Sequence, residues 1–179
     1  MVEKIQIGGH SFVLLYSQRE IENRIYEMAN SFKQDPARDY VMIPVMTGAF
    51  YFSSYFLSCL DFPYRLFTMS VQSYQGLESR GEVLVHFPKD TTWIHDADVV
   101  ILEDIIETGL TVHHLEKYFY ARGARSVSVI TLFHKPSQQR YEFDVLMSGF
   151  EISNEFIVGY GLDYDESGRW LKSVYQKLD

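Results

Sequence analysis

The chain has a single cysteine, Cys59, in 179 residues, too few for an intramolecular disulfide or a cysteine-rich zinc site. Its setting, Tyr55-Phe56-Leu57-Ser58-Cys59-Leu60, reads as core, where a free thiol behaves as a small inert hydrophobe. Positive charge is scarce too: 16 Lys and Arg against 24 Asp and Glu leave a formal net charge of −8. Affinity for a nucleic-acid backbone rests on clustered cations, so this balance argues against a nucleic-acid binder. A small anion remains open, because a few local cations, backbone amides and a bridging metal can hold one. Long apolar runs are missing; Val99-Val100-Ile101-Leu102 is far short of the ~20 residues a membrane-spanning helix needs. The N-terminus lacks a basic start followed by an apolar stretch and a small-residue cleavage site. A cytoplasmic location away from membranes is expected. No repeat, low-complexity stretch or linker divides the sequence, so one domain over 1–179 is expected.

What is present is an alternation of strands and helices. Ser11–Leu15 reads as a strand, and a helix starts after Ser17, with Ile21, Ile25, Met28 and Phe32 at helical spacing. Tyr40–Met46 is nearly continuous apolar, followed by Thr47-Gly48-Ala49 and a second helical segment reaching Leu60. Strand-like stretches Tyr64–Val71 and Val83–Phe87 flank a polar loop at Gln72–Gly81. Val99–Leu102 then runs into Glu103-Asp104, a short loop and a helix over about Leu110–Ala121, with Gly123 placed just past its end. A further strand, Ser126–Phe133, ends at His134-Lys135-Pro136. Strands without clean polar alternation belong to a sheet covered on both faces, usually a parallel one. The expected fold is therefore α/β: a doubly wound, mainly parallel sheet flanked by helices. Ligands of such folds sit at the carboxyl ends of the strands. Thr47-Gly48-Ala49, Glu103–Thr111 and His134-Lys135-Pro136 all fall there.

The most informative stretch is Val99-Val100-Ile101-Leu102-Glu103-Asp104-Ile105-Ile106-Glu107-Thr108-Gly109-Leu110-Thr111. A buried strand delivers two adjacent carboxylates to the sheet edge, and a Thr-Gly-Leu-Thr turn then opens a helix. Amides at a helix start point outward and the helix dipole favours negative charge, which makes an anion site. The Gly-Lys-Ser/Thr ending of a Walker loop is absent. Acids beside a phosphate cradle make sense if they accept hydrogen bonds from sugar hydroxyls or hold Mg²⁺ that bridges to pyrophosphate oxygens. Together these describe phosphoribosyl pyrophosphate (PRPP). The plainer alternative is a pair of helix-start acids beside an ordinary turn.

This stretch resembles the PRPP-binding signature of the type I phosphoribosyltransferases. Met46-Thr47-Gly48-Ala49-Phe50 is similar to the pyrophosphate loop of the hypoxanthine-guanine phosphoribosyltransferases, and Ser73-Tyr74 within 72–81 resembles their mobile loop. Phe133-His134-Lys135-Pro136 resembles the segment bearing their base-binding lysine. Gly149-Phe150-Glu151-Ile152 and Phe156–Tyr164, with Arg169 beyond, look like their C-terminal hood, placed mainly in 135–179.

The resemblance implies purine salvage: hypoxanthine or guanine plus PRPP giving the purine nucleotide plus pyrophosphate, with Mg²⁺, in a homodimer or homotetramer. By it, Thr108, Gly109, Leu110 and Thr111 hold the 5′-phosphate, and Glu103 and Asp104 face the ribose hydroxyls and the metal. Thr47, Gly48 and Arg169 meet pyrophosphate. Lys135 reads the 6-oxo group, Phe156 stacks on the purine, Ile157 offers main-chain groups to its edge, and Asp163 binds a second Mg²⁺. Glu107 takes the place of the general base. His113, His114 and His134 match no catalytic residue and read as structural or surface groups. Two departures stand out. The family's usual base is Asp rather than Glu107, and Thr47 stands where Lys is common, which implies weaker pyrophosphate binding. A nucleotide-sensing regulator of the same fold and a transferase for xanthine or a pyrimidine are the rival readings.

Overall fold

The computed structural model describes residues 3–73, 83–86 and 90–178. Its main sheet is built from β3 (Tyr40–Met46), β4 (Arg65–Leu66), β5 (Met69–Ser73), β6 (Val83–His86), β7 (Asp98–Ile106), β8 (Ser126–His134) and β9 (Val145–Glu151). The strand order is β6-β5-β3-β7-β8-β9, with β4 also paired to β3. The β5–β6 pair is antiparallel; the β3–β5, β3–β7, β7–β8 and β8–β9 pairs are parallel. The mainly parallel α/β sheet expected from the sequence is therefore the fold.

Burial alternates along the apolar strands, but between two cores rather than between core and water. Met42, Val100, Leu102, Ile130 and Leu132 face one core, shared with α1 (Gln18–Ser31) and α2 (Phe50–Ser58). Val41, Ile43, Val99, Ile101, Val127 and Val129 face the other, shared with α3 (Leu110–Tyr120). Covering both faces is what removed polar positions from these strands. The α1 helix starts on a capping box. Ser17 Oγ accepts from Glu20 N at 3.4 Å, and Glu20 Oε2 accepts from Ser17 N at 2.8 Å, satisfying two otherwise orphan donors. Ile21, Ile25, Met28 and Ala29 then lie on its buried face.

Two expectations change. The stretch Tyr64–Val71 is not one strand: β4 pairs with Val41 and Met42, β5 with Val45 and Met46. The break falls opposite Ile43 and Pro44, and a proline has no N–H to give to a ladder. Gly149-Phe150-Glu151 is not hood. It belongs to β9, parallel to β8 through Phe133↔Phe150 and His134↔Glu151. The second sheet joins both ends of the chain, in the order β1 (Lys4–Ile7), β2 (His10–Tyr16), β11 (Val174–Lys177), β10 (Ile157–Val158). Its pairs are antiparallel, and Phe12, Val158 and Tyr175 are buried beneath it. The predicted N-terminal strand thus belongs to this small sheet, because its partner is the distant C-terminal β11.

At the amino end of β7, Asp98 is buried and accepts from Ser126 Oγ at 2.6 Å and from the Arg125 guanidinium. Burial works to raise its pKa, but these hydrogen bonds and the nearby charges of Arg125 and Arg38 together hold it below the ordinary aspartate value. Among the described residues no helix is long and apolar enough to cross a membrane.

Candidate active site

The carboxyl ends of β3, β7 and β8 converge, as parallel neighbours must. Beyond β3, Thr47 is exposed and Gly48 half-buried; the Met46–Thr47 peptide is cis. A side-chain carbon on Gly48 would overlap the carboxylate of Asp104, and one on Gly161 would overlap the carbonyl oxygen of Gly48. Two glycines therefore let three segments touch: the loop after β3, the end of β7 and the hood. Gly161, with φ +105°, was not among the residues singled out from sequence. Its signal there was only a glycine in Gly159-Tyr160-Gly161, and its contact with Gly48 is purely tertiary.

Glu103 and Asp104 are the fifth and sixth residues after Asp98 opens β7, and their carboxyl groups lie close enough to interact directly. Glu103 is buried, and its Oε2 has no hydrogen-bond partner among the described residues. Burial first, then the charge of Asp104, raises its carboxyl well above the ordinary range. Asp104 is raised from 3.8 to about 6, chiefly by burial, against the Ile105 amide (N to Oδ1 2.8 Å) and the Arg169 charge, which lower it. Burying two carboxylates side by side is costly unless something positive or hydrogen-donating meets them. An acid whose pKa is raised by folding binds protons more readily folded than unfolded. The ligand-free, metal-free protein should thus lose stability as pH rises from about 4 towards 6, and regain nothing above that. Asp104→Asn is expected to melt a few degrees above the parent at about pH 7, with the gap closing towards about pH 4. Calorimetry over that range tests it; a variant melting below the parent at neutral pH would refute it.

Beyond β7, Glu107 is 49% exposed at its side chain and forms an ion pair with the Lys135 ammonium, itself only 4% exposed. The candidate base and the candidate reader of the purine thus form one hydrogen-bonded unit. Lys135 also donates its backbone N–H to Ile106 O at 2.8 Å, which continues the β7–β8 pairing past His134. Then follow Thr108 and Gly109, whose φ of +79° makes it the left-handed start of α3. No side chain caps this helix; Leu110 N reaches Thr108 Oγ1 only at 3.4 Å. Amides of the first turn, through Thr111, are left to receive an anion.

Arg169 is held in the hood by Gly161 O (Nη1, 2.8 Å) and Asp163 Oδ1 (Nη2, 2.7 Å). Asp163 Oδ2 accepts from Glu166 N at 2.8 Å, so both its oxygens already have partners. Phe156 is 45% exposed and meets Tyr164 edge-on at 5.5 Å. Ile157 is buried and pairs with Gln176 in β10–β11, so it can present only backbone. Gln72 and Ser73, which open the expected mobile loop, instead end β5 and pair with Leu84 and Val83; Tyr74 and the rest of that loop, 74–81, lie outside the described residues. Phe143 and Gln139, which pack against Gly109, were not identified from sequence, because nothing local marks them.

The model of the phosphoribosyl transferase domain matches residues 15–165. A hypoxanthine-guanine phosphoribosyltransferase of Mycobacterium tuberculosis is 34% identical over 90% of this chain and 83% of its own length. The chain belongs to the hypoxanthine-guanine phosphoribosyltransferase family. A Streptococcus agalactiae member is 37% identical, with 90% of each chain covered. Among solved structures, a Bacillus anthracis hypoxanthine-guanine phosphoribosyltransferase superposes with TM-score 0.83 at 29% identity, covering 92% of this chain and 98% of that one. The Trypanosoma cruzi hypoxanthine phosphoribosyltransferase in complex with its product IMP gives 0.80 at 28% identity, with 96% of both chains covered.

Proposed function

We propose that this member of the hypoxanthine-guanine phosphoribosyltransferase family transfers the phosphoribosyl group of PRPP to hypoxanthine or guanine and releases pyrophosphate. The observation that carries this reading is the meeting of a helix N-terminus with no side-chain cap, a buried Glu103 beside a half-buried Asp104, and a buried lysine at one sheet edge. In this reading the α3 amides and Thr108, Gly109, Leu110 and Thr111 bind the 5′-phosphate, and Glu103 and Asp104 accept from the ribose hydroxyls. Thr47 and Gly48 offer backbone to pyrophosphate, and the immobilised fork of Arg169 supplies charge to it. Lys135 donates to the 6-oxo oxygen; an adenine amine offers it no acceptor there. Phe156 stacks on the ring and Ile157 meets its edge through the main chain. A purine nitrogen bonds to the anomeric carbon as the bond to pyrophosphate breaks, and Glu107 accepts the N7 proton. Catalysis is then mostly positioning and charge placement.

Mg²⁺ fits this donor set. The unpartnered Glu103 Oε2 and the two carboxyls raised by burial suit an ion that takes one or two carboxylates and completes its shell with substrate oxygens and water. Among the described residues no three His, Cys, Asp or Glu gather to hold a metal unaided. Glu103 and Asp104 would hold it, with Asp163 adding only the lone pairs that Arg169 and Glu166 leave free; bound there, it would neutralise charge on the leaving pyrophosphate. PRPP and the nucleotide product are phosphorylated and do not cross membranes unaided, which favours the cytoplasm.

A homodimer or homotetramer is the favoured assembly. Phe50, Tyr51 and Trp170, 51%, 42% and 73% exposed, line one cleft of about 430 Å³ beside the Thr47–Gly48 loop; exposed aromatics clustered in this way mark interaction surfaces. Trp170→Arg is expected to shift the protein to monomer in sedimentation velocity, and an unchanged oligomer would count against this face.

The deciding experiment incubates the protein with PRPP, Mg²⁺ and hypoxanthine, guanine, xanthine or adenine separately. IMP or GMP should form and AMP should not. No nucleotide from any 6-oxopurine would refute the assignment.

A further inference from the structure

His134 closes β8 directly before Lys135, and its side chain is buried. Its Nε2 lies 2.6 Å from Gln139 Oε1. Gln139 donates from its own Nε2 to the Tyr141 carbonyl at 2.7 Å, which fixes the amide with Oε1 as acceptor. The histidine must therefore carry its proton on Nε2. Gln139 is half-buried and packed against the phosphate turn. Its Cγ and the ring of Phe143 sit directly behind Gly109, where a side-chain carbon would stand 3.7 Å and 2.5 Å from them. Arg140 N donates to Thr108 O at 3.0 Å, and the Tyr141 ring stacks on His113 of α3 at 4.5 Å. Segment 139–143 is thus the rear wall of the Thr108–Gly109 turn and a brace for the first turns of α3.

We infer that His134 and Gln139 are a positioning pair: their hydrogen bond sets the seat of the Thr108–Gly109 turn and with it the affinity of the α3 N-terminus for the phosphate end of PRPP. This rests on the phosphoribosyl-transfer reading above. Neither side chain touches substrate. The geometry matters because an anion at a helix start is bound by several amides at once, and the left-handed Gly109 offers no side chain of its own to correct an error. Burial strengthens the imidazole–amide bond relative to one in water. Lys135 is held separately, by its backbone bond to Ile106 O and its ion pair with Glu107, so loss of the pair is felt at the phosphate end of the pocket.

Steady-state kinetics on the parent, His134→Met, Gln139→Leu and His134→Gln decide it, varying PRPP and hypoxanthine in turn. His134→Met and Gln139→Leu keep bulk and lose the hydrogen bond. Each is expected to raise the KM for PRPP by about tenfold, the worth of one well-made hydrogen bond, with kcat and the KM for hypoxanthine within about twofold. His134→Gln returns an N–H close to the Nε2 position and should bring the KM for PRPP back to within about threefold of the parent. A parent-like PRPP KM in both hydrogen-bond-deficient variants overturns the inference. So does a uniform loss in kcat and both KM values that His134→Gln fails to rescue, since that pattern marks packing alone. Should His134→Met fail to fold, Gln139→Leu and His134→Gln carry the same comparison. Calorimetric binding of GMP to the same four proteins must show the same ranking without turnover. A parent with no turnover refutes the functional reading, while a flat GMP ranking refutes the positioning pair, so the two failures are distinct.

Discussion

Glu107→Gln is expected to lower kcat by about two to three orders of magnitude while the KM for PRPP stays within about threefold. The amide keeps the shape of the side chain but cannot accept the purine proton. Glu107 is half-exposed yet tied to Lys135, so its carboxylate is oriented by an ammonium that the protein cannot easily move. The substitution also removes the charge that balances the Lys135 ammonium and leaves it only an amide oxygen to donate to; Lys135 is 3% exposed, so some loss of stability is expected as well. Kinetics should therefore be measured well below the variant's melting temperature, with calorimetry to confirm it is folded. Full turnover by Glu107→Gln would remove Glu107 from the chemistry. A fall in PRPP affinity with kcat intact would reassign it to binding. The usual aspartate of the family is shorter. Here the longer Glu107 carboxylate meets the Lys135 ammonium.

Gly48→Ala should be nearly as damaging, for a steric reason. The added carbon would collide with the Asp104 carboxylate, and the Gly48 carbonyl is already pressed against Gly161. Neither neighbour can yield freely: Asp104 is anchored by the Ile105 amide, and Gly161 is tied to Arg169 through both its N–H and its carbonyl. The loop after β3 must therefore move, taking the proposed pyrophosphate contacts and Arg169 out of register. A displacement of about 1 Å costs on the order of a hundredfold in kcat/KM, and overpacking costs about 1–3 kcal/mol in stability. Kinetics paired with a urea melt separate the two. Parent-like kcat/KM in Gly48→Ala would show that the three-segment contact is dispensable.

Much was legible from residue order alone. The apolar runs ending in Thr47-Gly48, Glu103-Asp104 and His134-Lys135 located the strands and the edge where a ligand sits, because a doubly covered parallel sheet leaves no polar positions inside and collects its polar residues at the strand ends. The Ser17 cap was readable because a capping box is a contact between residues three apart. The failures have the opposite cause. Tyr64–Val71 has the composition of one strand, and only pairing with β3 around Pro44 divides it. Gly149-Phe150-Glu151 joins the main sheet because β8 stands beside it, a relation that its own residues do not encode.

By itself, then, the sequence determined the parallel sheet, its acid-bearing edge and the helix that opens on Thr108-Gly109, since each follows from periodicity and neighbours within a turn. Tertiary structure alone decided that Asp104 abuts Gly48, that Gly161 closes over it, that Glu107 pairs with Lys135 and that Gln139 stands behind Gly109. Those contacts join residues up to about two thirds of the chain apart. Their existence depends on how strands stack in space, which local propensity does not specify.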